Sequence, residues 1–242
     1  MEPPTATATS PSHFEFKGAM ARRYDTVNHL ASAGLDLWWR QRTARAIARF
    51  LSHRRAPVRH LDLACGTADM GLALERALPG IHPVGVDPAA EMLALASKKT
   101  TLPLVRGATR LPFRDGTFDS VSCAFGVRNF TRIDDEFREL SRVLKPGGRL
   151  VILDFFRSRN PLVRGWLWLY RHTVFPLIGH ALIGETAPYR YLLDSIDRFQ
   201  TVREMGETLR RNGLVPVGAI SFFFGLVTAV SGENASLPEN EP

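Results

Sequence analysis

The segment VRHLDLACGTADMGLAL (residues 58–74) decides the fold, because a pattern typical of a strand is followed within a few residues by a pattern typical of a helix. Hydrophobic residues run up to Asp62, a loop of small residues follows, and apolar residues then recur at helical spacing. A strand, a tight turn and a helix in this order hold a cofactor in many proteins. A dinucleotide site needs the spacing G-x-G-x-x-G, whereas this loop carries Ala64, Gly66 and Ala68. We therefore expect the loop to bind a ligand that has no pyrophosphate.

Two acidic residues indicate which ligand suits the loop. Asp69 stands in the first turn of the predicted helix, where its charge repels a diphosphate and favours a ligand with ammonium and sulfonium cations. Asp87 ends the next predicted strand, about 20 residues after Gly66, where a carboxylate can accept hydrogen bonds from both hydroxyls of a ribose. Together these residues point to S-adenosylmethionine. A helix cap and a surface aspartate would explain them without any ligand.

Strand-like and helix-like segments alternate along the chain from residue 58 onward. Predicted strands cover residues 58–64, 82–87, 102–107, 118–125, 149–156, 214–221 and 222–230. Predicted helices cover residues 67–78, 88–99, 132–144 and 201–212. This alternation predicts an α/β fold with a doubly wound, mostly parallel, seven-stranded Rossmann-like sheet whose ligands lie at the carboxyl ends of the strands.

The 242 residues suffice for one such domain with an insertion. We expect disordered tails at residues 1–13 and 232–242 and a single domain over residues 14–231. An N-terminal helical region is expected at residues 14–56, and a helical insert after the fifth strand at residues 157–199. The apolar runs are too short or too often interrupted for a membrane span.

Composition narrows the classes of function. Hydrophobic residues make up 45% of the chain and charged residues 23%, which is typical of a globular protein. Cys65 and Cys123 fall in different predicted elements, which indicates a cytoplasmic protein without a disulfide framework. The first residues lack the cationic start and the apolar core of a secretory signal. We expect no metal, because histidines and cysteines form no ligand cluster in the sequence.

The net charge of +7 comes from 27 arginines and only 4 lysines. Arginines are densest at residues 40–55, and an apolar stripe at helical spacing runs through the same segment: Trp39, Thr43, Ala46, Ile47, Phe50 and Leu51. A packed helix with a solvated face explains this pattern. The alternatives are contact with an anionic membrane surface and contact with nucleic acid. We expect no nucleic acid, because no stacking aromatic residues are interleaved with the arginines.

Five stretches make the chain resemble a known family. They are YDTVNHLASAGLDLWWR (24–40), LDLACGTAD (61–69), LPFRDGTFDSVSCAFGVRNF (111–130), RVLKPGGRLVILDF (142–155) and YRYLLDSI (189–196). In this order they resemble the ubiquinone/menaquinone biosynthesis methyltransferases, a class I family that C-methylates prenylated quinols. The glycine–aspartate stretches are common to class I methyltransferases, whereas the first stretch, FGVRN and YRYLLDSI are much more specific.

The resemblance implies an S-adenosylmethionine-dependent C-methyltransferase that converts demethylmenaquinol to menaquinol, or methylates the corresponding benzoquinol of the ubiquinone pathway. It implies contact of the methionine end of the cofactor with Asp62, Ala64, Gly66 and Thr67. It also implies contact of the ribose with Asp87 and of the adenine with Gly107 and Ala108. The family usually has other residues at five positions: histidine at Asp36, asparagine or aspartate at Gly107, serine at Ala124, glutamate at Asp154 and serine at Phe156.

The chemistry that this resemblance implies needs an oxyanion site and a base. A ring carbon of a hydroquinone is a poor nucleophile until a phenol loses its proton, so the protein must stabilise an oxyanion and exclude water. Arg128 with Asn129 is the predicted oxyanion site, because both follow an apolar strand and emerge at the carboxyl edge of the sheet. The alternative is a surface ion pair of Arg128 with Asp134 or Asp135.

The insert supplies further candidates for contact with the acceptor. Tyr189 and Tyr191 are predicted to bind quinol oxygens or relay a proton, although ordinary half-buried aromatics would need no function. His172 is a candidate base, with a packed histidine as the alternative. Three aromatic residues are predicted to line a groove for an isoprenoid tail, or else to form a cap on the sheet: Trp166, Trp168 and Phe175.

Three functions stay open on this reasoning. The first is C-methylation of a prenylated quinol, the second is methylation of another lipophilic acceptor such as a secondary metabolite, and the third is non-catalytic binding of a cofactor or nucleic acid. For the first we expect a cytoplasmic protein with peripheral contact to the membrane that holds the quinol. A homodimer is a further expectation.

Overall fold

The computed structural model describes residue 29 and residues 32–107, 110–173 and 187–235. Its strands are β1 (His60–Leu63), β2 (Val84–Asp87), β3 (Leu104–Arg106), β4 (Phe118–Ala124), β5 (Leu144–Phe155), β6 (Leu214–Phe222) and β7 (Val227–Asn234). The helices in these ranges are α1 (Leu35–Leu51), α2 (Asp69–Ala77), α3 (Ala90–Lys99), α4 (Ile133–Val143), α5 (Pro161–His172), α6 (Ala187–Arg198) and α7 (Val202–Arg211).

The seven strands form one sheet in the order β3-β2-β1-β4-β5-β7-β6. The first five strands are parallel, and β7 runs antiparallel to both β5 and β6. The predicted doubly wound, mostly parallel sheet is therefore confirmed. The strand order reverses between β1 and β4, and in such sheets a crevice for ligands forms at the carboxyl ends of the strands on either side of this point.

The central strands are apolar because both of their faces are covered. Leu61, Val121 and Ile152, on three adjacent strands, have no exposed surface. A parallel sheet with helices on both faces buries its strands completely, which explains the nearly continuous apolar runs in the sequence.

Most predicted boundaries differ from the structure by one or two residues, and two strands differ by more. β5 begins at Leu144 rather than at residue 149, since Leu144 already pairs with Phe118 before the register shifts at the turn KPGG. The strand predicted at residues 222–230 is interrupted by a 3-10 turn at Phe223–Gly225, and β7 continues to Asn234, into the range predicted as a tail. The polar residues at the end of β7 show no hydrophobic pattern that would predict a strand. They belong to β7 because their backbone pairs with β5 and β6.

Helix α1 is the packed helix that the apolar stripe predicts. Trp39, Thr43, Ile47 and Leu51 are buried, and the helix lies against α2. Arg42, Arg45 and Arg49 are exposed on its outer face. Within the described ranges, every helix is too short or too polar to span a bilayer.

The helical insert after β5 contributes two described helices, α5 and α6. Helix α5 begins where the Asn160 side chain accepts a hydrogen bond from the Leu162 backbone at 2.9 Å, with Pro161 in the first turn. Phe175, predicted to line the tail groove, lies outside the described residues. Helices α5 and α6 meet through an apolar cluster that includes Val163 and Ile196.

Candidate active site

A cleft opens beside the carboxyl end of β1, between α1 and the loop that follows β1. Its lining comes from residue 29, α1, this loop, the start of α2 and the end of β4: His29, Asp36, Arg40, Asp62, Ala64, Cys65, Gly66, Thr67, Asp69, Met70 and Ala124. The four residues expected around the methionine end of the cofactor are all among them. His29 and Arg40 also line the cleft, and the sequence reasoning had assigned neither of them a role.

The loop after β1 has a left-handed backbone at the three positions where a dinucleotide site has glycine. The φ angles of Ala64, Gly66 and Ala68 are 52°, 54° and 70°. Alanine adopts this conformation at a lower steric cost than larger residues, because its side chain is a single methyl group. A Cβ added at Gly66 would meet nothing within 4 Å, so a ligand can approach the backbone at this point.

Asp62 connects the end of β1 to helix α2 and to strand β4. Its carboxylate accepts hydrogen bonds from the Gly71 backbone N–H at 3.0 Å and from the Ser122 hydroxyl at 2.8 Å. Burial raises the pKa of Asp62 to about 7, and these two hydrogen bonds oppose the shift. Beneath it, the His60 ring lies 3.0 Å from the Ser122 hydroxyl, and burial lowers the pKa of His60 to about 3, so that this histidine stays neutral.

Asp87 connects the end of β2 to the same loop. Its Oδ2 accepts a hydrogen bond from the Gly66 backbone N–H and its Oδ1 from that of Ala89, both at 2.9 Å. Burial raises the pKa of Asp87, against the effect of these two N–H groups. A carboxylate has about four acceptor positions, so two remain for the hydroxyls of a ribose. Gly107 stands next to it, since its N–H donates to the Asp87 carbonyl at 3.2 Å, whereas Ala108 lies outside the described residues.

Asp69 has a different environment from the one expected. The Lys99 ammonium lies 2.7 Å from the Asp69 carboxylate and 3.1 Å from the Thr67 hydroxyl. The structure therefore corrects the expectation that Asp69 attracts a cationic ligand, because Lys99 already neutralises its charge.

The opposite wall of the cleft is a polar network around Asp36. The buried Asp36 carboxylate accepts hydrogen bonds from the Ser32 hydroxyl at 2.7 Å and from Arg40 at 2.5 Å, and lies 2.8 Å from Nδ1 of His29. Burial raises the pKa of Asp36, but the Arg40 cation, the Ser32 hydroxyl and His29 outweigh it and hold the pKa below its ordinary value. Asp36 is therefore ionised.

Arg128 lies in the turn after β4, as expected, but its partner is Asp154 on β5. The guanidinium donates to the Asp154 carboxylate, and the two side chains are only 6% and 0% exposed. Asp134 and Asp135 instead bond Asn212 and Arg138, so the alternative of a surface ion pair is wrong. Burial raises the pKa of Asp154, although the Arg128 cation opposes this shift.

The surroundings of Arg128 are strained and aromatic. The guanidinium lies over the Phe155 ring at 5.3 Å, and Phe125, just before the turn, has a φ of 62°. Bulky residues adopt this left-handed conformation rarely, and such strain concentrates at functional sites. Among the described residues, no group accepts a hydrogen bond from Nε of Arg128, although this atom is buried. Arg128 thus keeps an unused donor.

The other predicted acceptor residues are only partly described. Asn129 is exposed in the 3-10 turn Val127–Asn129, against which α6 packs. Tyr189 and Tyr191 lie on α6, but their side chains are outside the described part of the structure. Contact of either tyrosine with an acceptor therefore stays a prediction.

His172 does not line the cleft. It is exposed at the end of α5, with its Nδ1 at 2.7 Å from the Trp168 carbonyl and its ring 4.6 Å from that of Trp168. Trp168 is itself 62% exposed, whereas Trp166 packs against Phe223 with ring centroids 4.6 Å apart. His172 is therefore a surface histidine, and the described part of α5 places Trp168 on an outer face.

Comparison with known proteins agrees with this fold. The model of the ubiE/COQ5 methyltransferase family matches residues 14–233. The demethylmenaquinone methyltransferase of Thermus thermophilus is 42% identical over 190 residues, which cover 74% of this chain and 82% of the relative. The ubiquinone/menaquinone biosynthesis C-methyltransferase UbiE of Syntrophotalea carbinolica is 38% identical over 220 residues, which cover 88% of this chain and 90% of the relative.

Solved structures show the same fold at much lower identity. A SAM-dependent methyltransferase of Thermotoga maritima superposes with a TM-score of 0.60 at 16% identity, covering 88% of this chain and 97% of that one. One from Aquifex aeolicus gives 0.57 at 16% identity, covering 79% and 89%. The resemblance and the fold expected from the sequence are confirmed, and the chain belongs to the ubiE/COQ5 methyltransferase family.

Proposed function

We propose that this methyltransferase uses S-adenosylmethionine to C-methylate a prenylated hydroquinone. The acceptor is demethylmenaquinol, which becomes menaquinol, or the corresponding benzoquinol of the ubiquinone pathway. The observation that carries the cofactor assignment is the bond between the Gly66 backbone and Asp87, which places a buried carboxylate with free acceptor positions over an open loop. The names of the relatives support the acceptor class.

The charges in the cleft suit this cofactor. Asp87 would hold the ribose, Gly107 and Ala108 the adenine, and the loop from Asp62 to Thr67 the methionine end. Asp36 and Asp62 add negative charge to the cleft and Arg40 adds positive charge, which suits a zwitterionic amino-acid group next to a cation. When bound, the cofactor supplies an electrophilic methyl group on a sulfonium.

Arg128 is the proposed partner of the quinol oxyanion, together with Asn129. The guanidinium is fixed by the buried Asp154 carboxylate and by the Phe155 ring, so its direction is set before an acceptor arrives. Its Nε retains a donor with no acceptor among the described residues. A preorganised donor in a site without water stabilises developing charge far better than a donor in solvent. Tyr189 and Tyr191 on α6 remain the proposed partners of the other quinol oxygen.

The acceptor is dissolved in a bilayer, and one face of the molecule suits contact with it. We call this the α5 face and define it by the exposed apolar residues Leu162, Trp168 and Leu169 together with Phe224. Leu162 is 81% exposed, and Arg159 and Arg164, its near neighbours in the sequence, are exposed as well. Exposed tryptophan and leucine next to arginine are typical of a helix that lies at an anionic membrane surface. We propose peripheral contact of this face with the cytoplasmic surface of a membrane.

Turnover with defined acceptors tests the function. Purified protein is incubated with S-adenosylmethionine and demethylmenaquinols of different tail length, a demethylated benzoquinol and a soluble naphthol, and methylated products are measured by mass spectrometry. We expect methylation of long-tailed quinols with a higher kcat/KM than of short-tailed ones, because binding of the remote tail also lowers the barrier. Methylation of the soluble naphthol alone would contradict a prenylated quinol as the acceptor.

Vesicle binding tests the α5 face. Sedimentation with phosphatidylglycerol vesicles should decrease strongly for Trp168→Ser combined with Leu162→Ser, since both side chains would lose their contact with lipid. Val215→Ser is the matched control, because Val215 is an exposed apolar residue near the start of β6. Equal binding of the double variant and the control would rule out the α5 face as the contact.

A further inference from the structure

The proposed reaction needs a base, and the histidines of the described residues differ in their access to the cleft. His53 and His82 are exposed outside it, and His172 lies on the outer face of α5. His60 is buried in the sheet between the Ser120 and Ser122 hydroxyls and stays neutral. His29 is the one described histidine that lines the cleft.

The contacts of His29 fix which of its ring nitrogens is available. Nδ1 lies 2.8 Å from Oδ2 of Asp36, and an ionised carboxylate there requires Nδ1 to carry the hydrogen. Nε2 then presents a lone pair, and no described residue bonds to it. The His29 side chain is partly exposed, so Nε2 can reach a molecule in the cleft.

Asp36 is held so that it can orient His29. Its second oxygen accepts the Ser32 hydroxyl at 2.7 Å, and Arg40 binds the oxygen that His29 also contacts. The buried carboxylate therefore has one position, and it fixes the tautomer and the plane of the imidazole. A carboxylate, an imidazole and a reacting hydroxyl in series form a recurrent arrangement for proton abstraction.

The charges around His29 come from four elements. Asp36 and Arg40 face it from α1, Asp62 from β1 and Asp69 from the start of α2, where Lys99 of α3 pairs with Asp69. Arg40 pairs with Asp36 and Lys99 pairs with Asp69, so two of these three carboxylates have a cationic partner of their own.

We propose that His29 is the base that takes the phenolic proton of the quinol and that Asp36 is its positioning residue. The inference rests on the proposed function. The phenolic O–H bond breaks, its hydrogen forms a bond to Nε2, and the electron pair stays on the oxygen and is shared with the ring carbon that receives the methyl group. Afterwards the ring hydrogen at that carbon leaves to solvent, and the imidazolium returns its proton to the phenolate.

Turnover of matched histidine variants is the first test. His29→Gln should reduce single-turnover methylation about 100-fold or more, with the acidic limb of the pH–rate profile lost. His172→Gln, which changes an exposed histidine outside the cleft, should keep the rate and the limb. His29→Ala should regain part of its rate with added imidazole, which a purely structural role would not permit. A normal rate and profile in His29→Gln would overturn the inference.

A second test needs no cofactor. A quinol bound anaerobically to the protein is titrated, and its phenolate is followed by ultraviolet absorbance. Wild type should form the phenolate at lower pH than His29→Gln, with Asp36→Asn in between, since loss of the carboxylate weakens the base. Identical titrations in all three would overturn the inference. So would a His29→Gln variant that binds S-adenosylmethionine less tightly but turns over normally when saturated.

The two proposals fail in different ways. If wild type methylates none of the quinols, the proposed function fails. If wild type methylates them and His29→Gln is equally active, only the assignment of the base fails.

Discussion

Asp87 on β2 and Asp154 on β5 are both buried carboxylates near the carboxyl end of a strand, but the protein holds them in opposite ways. Asp87 accepts hydrogen bonds from the backbone N–H groups of Gly66 and Ala89. Asp154 also accepts a backbone hydrogen bond, from Phe155 at 2.8 Å, but it is paired in addition with the guanidinium of Arg128. We call the surroundings of Asp87 the cofactor side and those of Asp154 the acceptor side of the proposed site. Main-chain N–H groups hold the first carboxylate, whereas the second also needs a side-chain partner. Main-chain donors survive most substitutions, while a side-chain pair survives only if both residues remain.

Three of the departures from the family that the resemblance implies fit the same division. Gly107 lies on the cofactor side, where the backbone still connects it to Asp87. Asp36 and Asp154 are instead each paired with an arginine side chain, that of Arg40 and that of Arg128. We therefore expect the departure at Gly107 to leave the backbone contact with Asp87 intact, and the departures at Asp36 and Asp154 to depend on their arginine partners.

The largest effect should come from breaking the buried ion pair. Arg128→Ala leaves the Asp154 carboxylate buried and unpaired, so it should lower the free energy of unfolding by about 3–5 kcal/mol in urea titrations. The double variant Arg128→Met with Asp154→Leu removes both charges and should regain most of this stability. Both variants should lose about 100- to 1,000-fold in single-turnover methylation, because each lacks the oxyanion partner.

The double variant separates stability from chemistry. Normal methylation in the stable double variant would show that the pair only holds β4 and β5 together. Arg128→Lys keeps the charge without the planar fork, so we expect it to recover only part of the rate. Calorimetric affinity for S-adenosylmethionine should stay near that of wild type throughout, since the pair lies on the acceptor side.

The cofactor side should respond in the reverse manner. Asp87→Ala removes the acceptor of two ribose hydroxyls and of two backbone N–H groups, and should weaken S-adenosylmethionine binding by about 2–4 kcal/mol. Calorimetry measures this loss directly. Asp87→Asn keeps one acceptor oxygen and should fall between wild type and Asp87→Ala. Unchanged affinity in Asp87→Ala would break the division between the two sides.

The same division explains how much the sequence could predict. Gly66 and Asp87 follow from a local strand, loop and helix pattern, and the structure places them in contact. The position of Arg128 at the carboxyl edge was also predictable, but its partner Asp154 was not, because the pairing depends on how far two strands extend. Side-chain partners across a sheet have no local signature in one sequence.

The network around Asp36 was missed, although a signal was present. Asp36 precedes Trp39 and Thr43 at helical spacing and so belongs to the buried stripe of α1. A charged residue in such a stripe needs partners, because burying an unpaired charge is costly. The arginine-rich composition of the segment drew attention to its solvated face instead.

The raised pKa of Asp62 predicts that the affinity for S-adenosylmethionine depends on pH. Its pKa is raised from 3.8 to about 7 by burial, so the folded protein holds a proton on Asp62 below pH 7 and releases it above. A cationic ligand binds better to the ionised form, and the affinity for S-adenosylmethionine should rise as the pH increases through 7. Calorimetry between pH 6 and pH 8 measures this, with Asp62→Asn as the reference that lacks the ionisation. A parallel pH dependence in both proteins would remove Asp62 as its source.

The smallest effect should come from the main-chain loop. Ala64 has a φ of 52°, a conformation that costs an L residue about 1–2 kcal/mol and costs glycine almost nothing. Glycine also increases the entropy of the unfolded chain, which offsets about 0.5–1 kcal/mol of the gain. Ala64→Gly should therefore stabilise the fold by up to about 1 kcal/mol in urea titrations.

Ala46→Gly is the matched control, because Ala46 is also half-buried but lies within helix α1. It should destabilise the protein by about 1 kcal/mol, as glycine does in a helix interior. The Cβ of Ala64 also lies only 2.6 Å from the position that a Cβ would take at Gly126, so Ala64→Gly opens space between the loop and β4. If Ala64→Gly destabilised the fold as much as the control, contact of that methyl group would outweigh the backbone strain. The stability of the loop would then depend on the methyl group of Ala64. The cofactor side would in that case not be organised by the main chain alone.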